Sequence, residues 1–224
     1  VDAQPSRRTI IIDSANFPTD RYIVQGIAKA RGLTLITLDV DHTGGPGAIS
    51  MDTDQERFDL AGLESVLSDD VAVLTLQAVN YRSGTRQPVR EITELARKYG
   101  IPVVWDCSHA AGSVVLDFDA SGVDLAVGCT YKYLNSGPGS PGWLFVRKEW
   151  QERLQVPIQG WFAQADQFAM GPLFDPVDGI RRFQIASPPI MGIRAVQASL
   201  DMIERAGMAA IEHKAQQGTQ MMVE

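Results

Sequence analysis

The sequence predicts an α/β protein in which a mainly parallel sheet lies between two layers of helices, a three-layer α/β/α arrangement. Two observations predict this fold: short apolar runs alternate with amphipathic helical stretches, and the runs are apolar almost without interruption. Alternation of this kind indicates parallel strands joined by helical connections. Nearly continuous apolarity indicates strands that are covered on both faces.

The predicted elements succeed one another along the chain. The first strand, at residues 9–12, leads into an amphipathic helix at 20–30. Further strands are expected at 33–38, 72–77, 101–105, 125–128 and 143–146, and further helices at 60–68, 88–99, from 149, at 190–206 and from there to 224. A flexible loop is predicted at 42–48, which is rich in Gly. Long ordered loops are predicted at 154–189, and loops of that length usually carry function.

Composition and charge argue against several classes of protein. The 224 residues are 45% hydrophobic and carry a net charge of −7 with scattered basic residues, so no nucleic-acid partner is expected. No run approaches the roughly 20 apolar residues of a membrane span, and the start lacks the apolar core of a signal peptide. Only Cys107 and Cys129 occur, both in apolar runs. They predict no disulfide framework, no metal site and a cytoplasmic location.

The strongest chemical signal is the segment TYKYLNSGPG at 130–139, in which Lys132 follows a strand and precedes a loop rich in Gly and Pro. Ligands of open α/β sheets bind at the carboxyl ends of the strands. A lysine there is a candidate amine nucleophile, provided that burial or nearby positive charge keeps the amine neutral. The alternative is a surface lysine in a turn.

A second signal is the segment WDCSH at 105–109, which places Asp106 at the end of a buried strand and His109 three residues later. A carboxylate there could pair with a protonated pyridine nitrogen and keep a cofactor ring electron-poor. The alternatives are a helix N-cap for Asp106 and a hydrogen-bonded structural role for His109.

A third signal is the segment NFPTD at 16–20, between the first strand and its helix. Phe17 could lie against an aromatic cofactor, and Asp20 could supply a second carboxylate near the ring. The alternative is a plain turn in which Thr19 or Asp20 caps the helix.

Taken together, these signals resemble the aspartate aminotransferase superfamily, the fold type I enzymes that use pyridoxal phosphate (PLP). The superfamily's cofactor lysine follows its pyridine-binding aspartate at about the distance seen here, 26 residues. Within the superfamily, the sequence most resembles the kynureninases. The similar blocks are FPTD (17–20), VNYRSG (79–84), DCSHAAG (106–112), YKYLNSGPG (131–139), GWF (160–162), FAM (168–170), DGIRRF (178–183) and PPI (188–190).

The resemblance implies a role for each matching residue. Lys132 would hold PLP as a Schiff base, Asp106 would pair with the pyridine nitrogen beside His109, and Tyr131 would bind the phosphate and transfer protons. The residues lining the ring would be Phe17, Pro18, Thr19 and Asp20, with Gln77 as a weaker candidate. Trp161 and Ser187 would complete the phosphate or substrate side, from this subunit or from a neighbouring one. The alternative for Trp161 is a packed loop aromatic.

The sequence also departs from the kynureninase pattern. Ala163 and Gln164 stand where Gly-His is common, and Ala186 and Ser187 precede PPI where Thr or Asn often stands. The chain begins without Met and ends in an uncapped helical pattern, so we expect truncation at both ends. Residues 1–190 would then be a PLP-binding large domain without its N-terminal part. Residues 191–224 would begin the connection to an absent C-terminal small domain.

The activity implied by the resemblance is hydrolysis of L-kynurenine, and as a second candidate 3-hydroxykynurenine, with release of L-alanine and the anthranilate. Such an enzyme serves tryptophan catabolism and NAD biosynthesis as a homodimer with the site at the subunit interface. Two alternatives stay open. One is a cysteine desulfurase or another lyase of the same fold, and the other is a non-catalytic protein that keeps the core for dimerisation.

Overall fold

The computed structural model describes residues 1–38 and 58–223, so the loop predicted at 42–48 lies outside the described residues. The strands, in chain order, are β1 (Thr9–Asp13), β2 (Thr34–Leu38), β3 (Val71–Gln77), β4 (Val103–Asp106), β5 (Leu125–Cys129) and β6 (Gly142–Val146). They form one sheet in the order β2-β1-β3-β4-β5-β6. All neighbours pair in parallel except β5 and β6, which are antiparallel. The predicted mainly parallel α/β sheet is confirmed.

Helices connect most of these strands. They are α1 (Pro18–Arg31), α2 (Leu60–Glu64), α3 (Val89–Lys98), α4 (Lys148–Gln151), α5 (Ile190–Ala206) and α6 (Met208–Val223). Two short 3-10 turns, Trp161–Ala163 and Ile180–Phe183, lie in the stretch predicted as long loops. Throughout the described ranges, every helix is too short or too polar to span a lipid bilayer.

Three element boundaries differ from the prediction by two or more residues. The first helix begins at Pro18 rather than at 20, because the fixed φ and missing N–H of proline suit the first turn of a helix. The helix predicted at 60–68 ends at Glu64 and gives way to turns. The fourth strand begins at Val103 rather than at 101, because the Ile101 N–H donates to the Ala96 carbonyl at the end of α3.

One face of the sheet carries the main hydrophobic core. Leu74, Leu76 and Trp105 are fully buried there among apolar side chains that include Ile92 of α3 and Leu63 of α2. The indole N–H of Trp105 donates to Thr93 Oγ1 at 3.0 Å, so its polar group is satisfied. Burial of such large side chains removes apolar surface from water and holds β3 and β4 in register.

The opposite face is covered by α1. Ile23 and Ile27 of this helix line a cavity of about 290 Å³ together with Val73, Val104 and Val127 of the sheet. Val127 is 41% exposed, so in the described part of the chain this face is covered less completely than the first. Asp106, at the end of β4, also lines this cavity.

Candidate active site

The carboxyl ends of four parallel strands meet at one edge of the sheet, and most of the predicted site residues lie at or near this edge. Asp13 ends β1, Gln77 ends β3 and Asp106 ends β4, with Gln77 and Asp106 aligned in the pairing of the two strands. The next strand, β5, ends three residues before Lys132. This topology brings the loop that carries Lys132 to the edge of the sheet where Asp106 lies.

Asp106 is held by hydrogen bonds to its own loop. Its Oδ1 accepts from the Ser108 N–H at 2.8 Å, and its carbonyl oxygen accepts from the Ala78 N–H at 2.9 Å. Turns rather than a helix follow it, so the alternative of a helix N-cap is wrong. The carboxylate is buried but lines the cavity beneath α1, where it is fixed in position to meet a cationic group.

Lys132 reaches back over the turn that precedes α1. Its Nζ lies 5.4 Å from the centre of the Phe17 ring and 5.8 Å from that of Tyr131. The amine interacts electrostatically with Asp20 and His109, and so does the carboxylate of Asp106. Asp106 and Asp20 of α1 line the same cavity, and the Lys132 amine lies by Phe17 at the start of that helix. The lysine and the strand-end carboxylate therefore lie on the α1 side of the sheet.

The charges in this group influence one another. Burial raises the pKa of Asp20 to about 6, and the nearby Asp106 carboxylate adds to the rise while Lys132 opposes it. Burial also lowers the pKa of His109, and Lys132 lowers it further against the opposing effect of Asp106. His109 is consequently neutral at neutral pH. A neutral ring beside an anion and an amine is a surface on which a flat polar molecule can stack.

A row of aromatic rings forms one wall of the site. The rings of Phe17 and Tyr81 meet edge to face with centres 5.2 Å apart, and Tyr81 is followed by His109 and then Tyr133 at centre distances of 6.3 Å each. Tyr81 and Tyr133 were not among the predicted site residues. Tyr81 lies in the block VNYRSG just past the end of β3. This position at the end of a strand is the feature of the sequence that could have indicated Tyr81 as a site residue.

The loop after Asp106 and the loop after Lys132 touch through a glycine. Gly112 has a φ of +86°, and a Cβ at this position would lie 2.4 Å from the carbonyl oxygen of Tyr133. Only glycine adopts such a backbone conformation readily and also allows this close approach. Gly112 thereby sets the separation between the carboxylate loop and the lysine loop.

The remaining predicted residues, Trp161 and Ser187, lie on two other loops. Trp161 is 45% exposed and contacts Phe162 and Phe168, and Ser187 is exposed. Gly160 packs so closely on the Ile185 backbone that a Cβ there would lie 1.8 Å from its carbonyl oxygen. The two predicted residues therefore belong to one pair of packed loops.

The same loops explain two departures from the kynureninase pattern. Ala163 is fully buried, and its carbonyl oxygen accepts from the Val177 N–H at 2.8 Å. Gln164 uses its side chain to bridge the loop, because Oε1 accepts from the Asp175 N–H at 2.8 Å. Both residues stabilise the local loop conformation. Nothing in the structure explains Ala186.

The chain belongs to the family described as Aminotransferase class-V, whose pattern matches residues 2–224. The resemblance to kynureninases that the sequence motifs indicated is confirmed by comparison with curated proteins. The chain is 38% identical to the kynureninase of Deinococcus radiodurans over 208 residues, which are 93% of this chain and 46% of that protein. It is 35% identical to the kynureninase of Pseudomonas fluorescens over 222 residues, or 98% of this chain and 49% of that protein. The chain thus spans about half the length of these relatives.

Solved structures confirm the fold of the PLP enzymes of fold type I. The apo cysteine desulfurase of Thermococcus onnurineus NA1 superposes with a TM-score of 0.74 at 22% identity, covering 93% of this chain and 48% of that one. A mutant of C-DES with glycine covalently linked to its PLP cofactor gives 0.72 at 21% identity, over 91% and 51%. The alanine-glyoxylate aminotransferase of Nostoc sp. gives 0.69 at 21%, over 98% and 54%.

Proposed function

We propose that this chain provides the cofactor site of a kynureninase-type enzyme, with PLP held on Lys132. The observation that carries the proposal is the grouping of the Lys132 amine with the Asp106 carboxylate around Asp20 and His109 at one edge of the sheet. The similarity to kynureninases over 93% of the chain or more supports the choice of activity.

The residues present fit this cofactor. Asp106 is an anion fixed by its own loop, as the partner of a pyridinium nitrogen must be. The aromatic row offers a stacking surface, and Nδ1 of His109 is buried without a hydrogen-bond partner among the described residues. A buried polar atom without a partner costs free energy unless a ligand satisfies it. Phe17, Pro18 and Thr19 form the start of α1, which borders the same space.

Each side chain has a distinct task in the proposed reaction. PLP, when bound, supplies an electron sink that makes removal of the substrate α-proton and cleavage of the β–γ carbon bond feasible. Asp106 would keep the proton on the pyridine nitrogen, and Lys132 would take and return the α-proton. Water would add to the γ-carbonyl, and the β–γ bond would break to release the anthranilate. Tyr131, whose ring is half exposed beside Lys132, would hydrogen-bond the phosphate and donate the proton that the β-carbon of the alanine portion takes up.

The proposed substrate is L-kynurenine, with 3-hydroxykynurenine as the second candidate, and the products are L-alanine and the corresponding anthranilate. We further propose that the enzyme acts as a homodimer. Trp161 and Ser187 lie on loops other than those that carry Lys132 and Asp106, and the loop between them exposes Phe168 and Leu173 at 75% and 81%. A second subunit that buries these apolar side chains would receive Trp161 and Ser187 in its own site. The cytoplasmic location stays a prediction from the two free cysteines.

A cysteine desulfurase is the second candidate, because two of the structural neighbours carry that name. Such an enzyme needs an accessible, reactive thiol. Cys107 is buried, and burial raises the pKa of its thiol to about 12. Cys129 contacts the Ser108 carbonyl oxygen at 3.8 Å beneath the same loop. Neither cysteine of this chain therefore suits that role, and the 35–38% identity to kynureninases, against 22% and 16% to the two desulfurases, makes kynurenine cleavage the better supported activity.

The proposal is tested by incubating the full-length protein and PLP with L-kynurenine and following anthranilate by fluorescence. We expect anthranilate to form, the Lys132→Ala variant to be inactive, and Lys148→Ala, at an exposed lysine outside the site, to retain activity. Release of sulfide from cysteine without anthranilate formation would favour the desulfurase. Inactivity toward both substrates, without cofactor binding, would favour a non-catalytic role in dimerisation.

A further inference from the structure

Gln77 lies at the end of β3 beside Asp106, yet both ends of its amide are hydrogen-bonded to the backbone of two other loops. Nε2 donates to the Ala15 carbonyl oxygen at 2.9 Å, and Oε1 accepts from the Tyr81 N–H at 3.3 Å. The side chain is only 3% exposed. An amide that is buried and bonded at both ends is poorly placed to reach a ligand itself.

The two loops that Gln77 joins both carry rings of the aromatic wall. Ala15 stands two residues before Phe17, and the ring of Phe17 lies 5.4 Å from the Lys132 amine. Tyr81 presents its ring edge-on to Phe17 at 5.2 Å. The Gln77 amide therefore links the backbones of the two loops that carry Phe17 and Tyr81, whose rings make the first contact in the aromatic row.

A second residue, Asn16, also holds the turn between β1 and α1. Asn16 donates to Asp13 Oδ2 at 2.9 Å and to the Thr75 carbonyl oxygen at 3.3 Å, which fixes the turn against β3. The Tyr81 N–H, in contrast, is bonded to Gln77 itself. Removing the amide would leave a carbonyl oxygen and an N–H group without these partners, a cost that favours movement of the loops toward water.

We propose that Gln77 is a positioning residue, which sets the spacing of Phe17 and Tyr81 and through them the aromatic wall against which the cofactor ring lies. This inference rests on the proposed function, because it takes the pocket to bind PLP. It differs from a direct cofactor contact, since the side chain acts only through Ala15 and Tyr81. Its loss therefore loosens the wall without removing any group that touches the cofactor.

Two variants in the full-length protein separate this role from simple packing. Gln77→Met keeps the approximate volume but removes donor and acceptor. In Gln77→Glu the protonated carboxyl can donate to Ala15 and accept from Tyr81, as the amide does, whereas the ionised form can only accept. Burial raises the pKa of such a carboxyl, so the exchange between the two forms falls in an accessible range of pH.

The first measurement is the apparent Kd for PLP between pH 5.5 and 8.5, obtained by absorbance titration. We expect Gln77→Met to bind on the order of tenfold more weakly at every pH, the loss expected for one to two hydrogen bonds. Gln77→Glu should match wild type at low pH and approach Gln77→Met at high pH. Wild type measured at each pH cancels the titration of the charged groups around the site, namely Asp13, Asp20, Asp106, His109 and Lys132.

The second measurement is the near-UV circular dichroism of the cofactor-free proteins over the same range, which reports the packing of the aromatic wall. Gln87→Glu is the matched control, because Gln87 is also buried and accepts from a backbone N–H, that of Phe58, on another loop. Only Gln77→Glu should show the pH-dependent change in signal. Should wild type fail to bind PLP, the proposed function fails, and this measurement still decides the role of Gln77.

Unchanged PLP affinity and an unchanged aromatic signal in Gln77→Met would overturn the inference. A loss in Gln77→Glu that is independent of pH would also contradict it, because protonation restores both hydrogen bonds. The inference is supported if Gln77→Glu regains the wild-type PLP affinity and aromatic signal at low pH. Gln77→Met should not regain them, and the control Gln87→Glu should show no pH-dependent change in the aromatic signal.

Discussion

Gly112 shows how one residue governs the site at the smallest scale. The loop after Asp106 and the loop after Lys132 meet at this glycine, and no side chain fits between its Cα and the Tyr133 backbone. Each loop has its own internal hydrogen bonds, among them the bond from the Ser108 N–H to Asp106 and that from the Asn135 N–H to the Lys132 carbonyl oxygen. A clash at the contact must therefore move one loop as a whole.

We predict that Gly112→Ala lowers the free energy of unfolding by about 3 kcal/mol or more and weakens PLP binding, because strain from a positive φ adds to a clash with backbone. Gly32→Ala is the control. Its φ is also positive, +60°, but a Cβ there would meet only an arginine side chain at 3.9 Å, so about 1 kcal/mol should be lost. Urea unfolding of both variants measures the difference, and equal losses would contradict the role given to the contact.

Asp13 is a buried carboxyl that makes stability depend on pH. Burial raises its pKa from 3.8 to about 7, although the hydrogen bond from Asn16 opposes the rise. The folded state thus binds a proton more tightly than the unfolded state does. Between these two values the free energy of unfolding falls as pH rises, by up to about 1.4 kcal/mol per pH unit.

We predict that Asp13→Asn reduces this dependence and is more stable than wild type at pH 8, because an amide replaces the buried carboxylate and can still accept from Asn16. The measurement is urea unfolding at a series of pH values between 4 and 8. Asp69→Asn, at an exposed position, should leave the wild-type slope unchanged. If Asp13→Asn and wild type gave parallel curves, the buried carboxyl would not be the group responsible.

At the scale of elements, the sequence predicted most of the sheet and the position of its functional edge. The parallel strands are mostly apolar runs, so each one could be located, and the polar residues at or just after the ends of some runs could be placed at the sheet edge. Asp106 and Lys132 were found in this way. The antiparallel pairing of β5 with β6 was not predicted individually, because neither strand differs in its pattern from a parallel one.

What could not be predicted depends on contacts between residues distant in sequence. Gln77 is separated from Ala15 by 62 residues, and local pattern gives no sign that its amide binds backbone rather than ligand. Tyr81 and Tyr133 join the aromatic wall only once the loops are packed. Equally, no periodicity indicates that Gln164 bridges its own loop.

Helix α5 illustrates such a long-range contact, because it packs on the loop that follows the cofactor lysine. Ser199 is buried and donates from Oγ to the carbonyl oxygen of Leu134, two residues after Lys132. Near the start of the helix, a Cβ on Gly192 would lie 3.1 Å from Pro141, at the far end of the same loop. The division into a large domain to residue 190 and a connection after it stays a prediction.

We predict that Ser199→Ala lowers the free energy of unfolding by about 1–2 kcal/mol, because it leaves the partly buried Leu134 carbonyl oxygen without this donor. Asp201→Ala, at an exposed position on the same helix, should change it by no more than about 0.5 kcal/mol. Denaturant unfolding of both variants provides the comparison. A Ser199→Ala protein as stable as wild type would mean that the helix does not support the lysine loop through this bond.

At the scale of the whole molecule, the proposed site has two parts. One part is the group around Lys132, and the other is the exposed loop segment around Trp161. The group around Lys132 lies at the sheet edge, whereas Trp161 and its exposed neighbours lie on separate loops. A symmetric dimer would bring the two parts together if each subunit supplied its loops to the other. The site would then be complete only in the assembly.

Mixed dimers of Lys132→Ala and Trp161→Ala subunits test this arrangement. Each variant alone is expected to be inactive or nearly so, but a mixed dimer has one site with both residues intact. Equal amounts, dissociated and reassociated, should recover about a quarter of the wild-type activity, because half of the dimers are mixed and each has one complete site. Activity no greater than the mean of the two variants would mean that Trp161 serves its own subunit.

The most direct test of the central claim, that the Lys132 amine and the Asp106 carboxylate form one cofactor site, is chemical labelling. The full-length protein is incubated with PLP, reduced with borohydride and digested, and the modified peptide is identified by mass spectrometry. We predict a single label on Lys132, which Asp106→Ala weakens and Lys132→Ala removes. The account would be contradicted if the PLP label were found on another lysine, or if the Lys132→Ala protein were labelled as strongly as wild type.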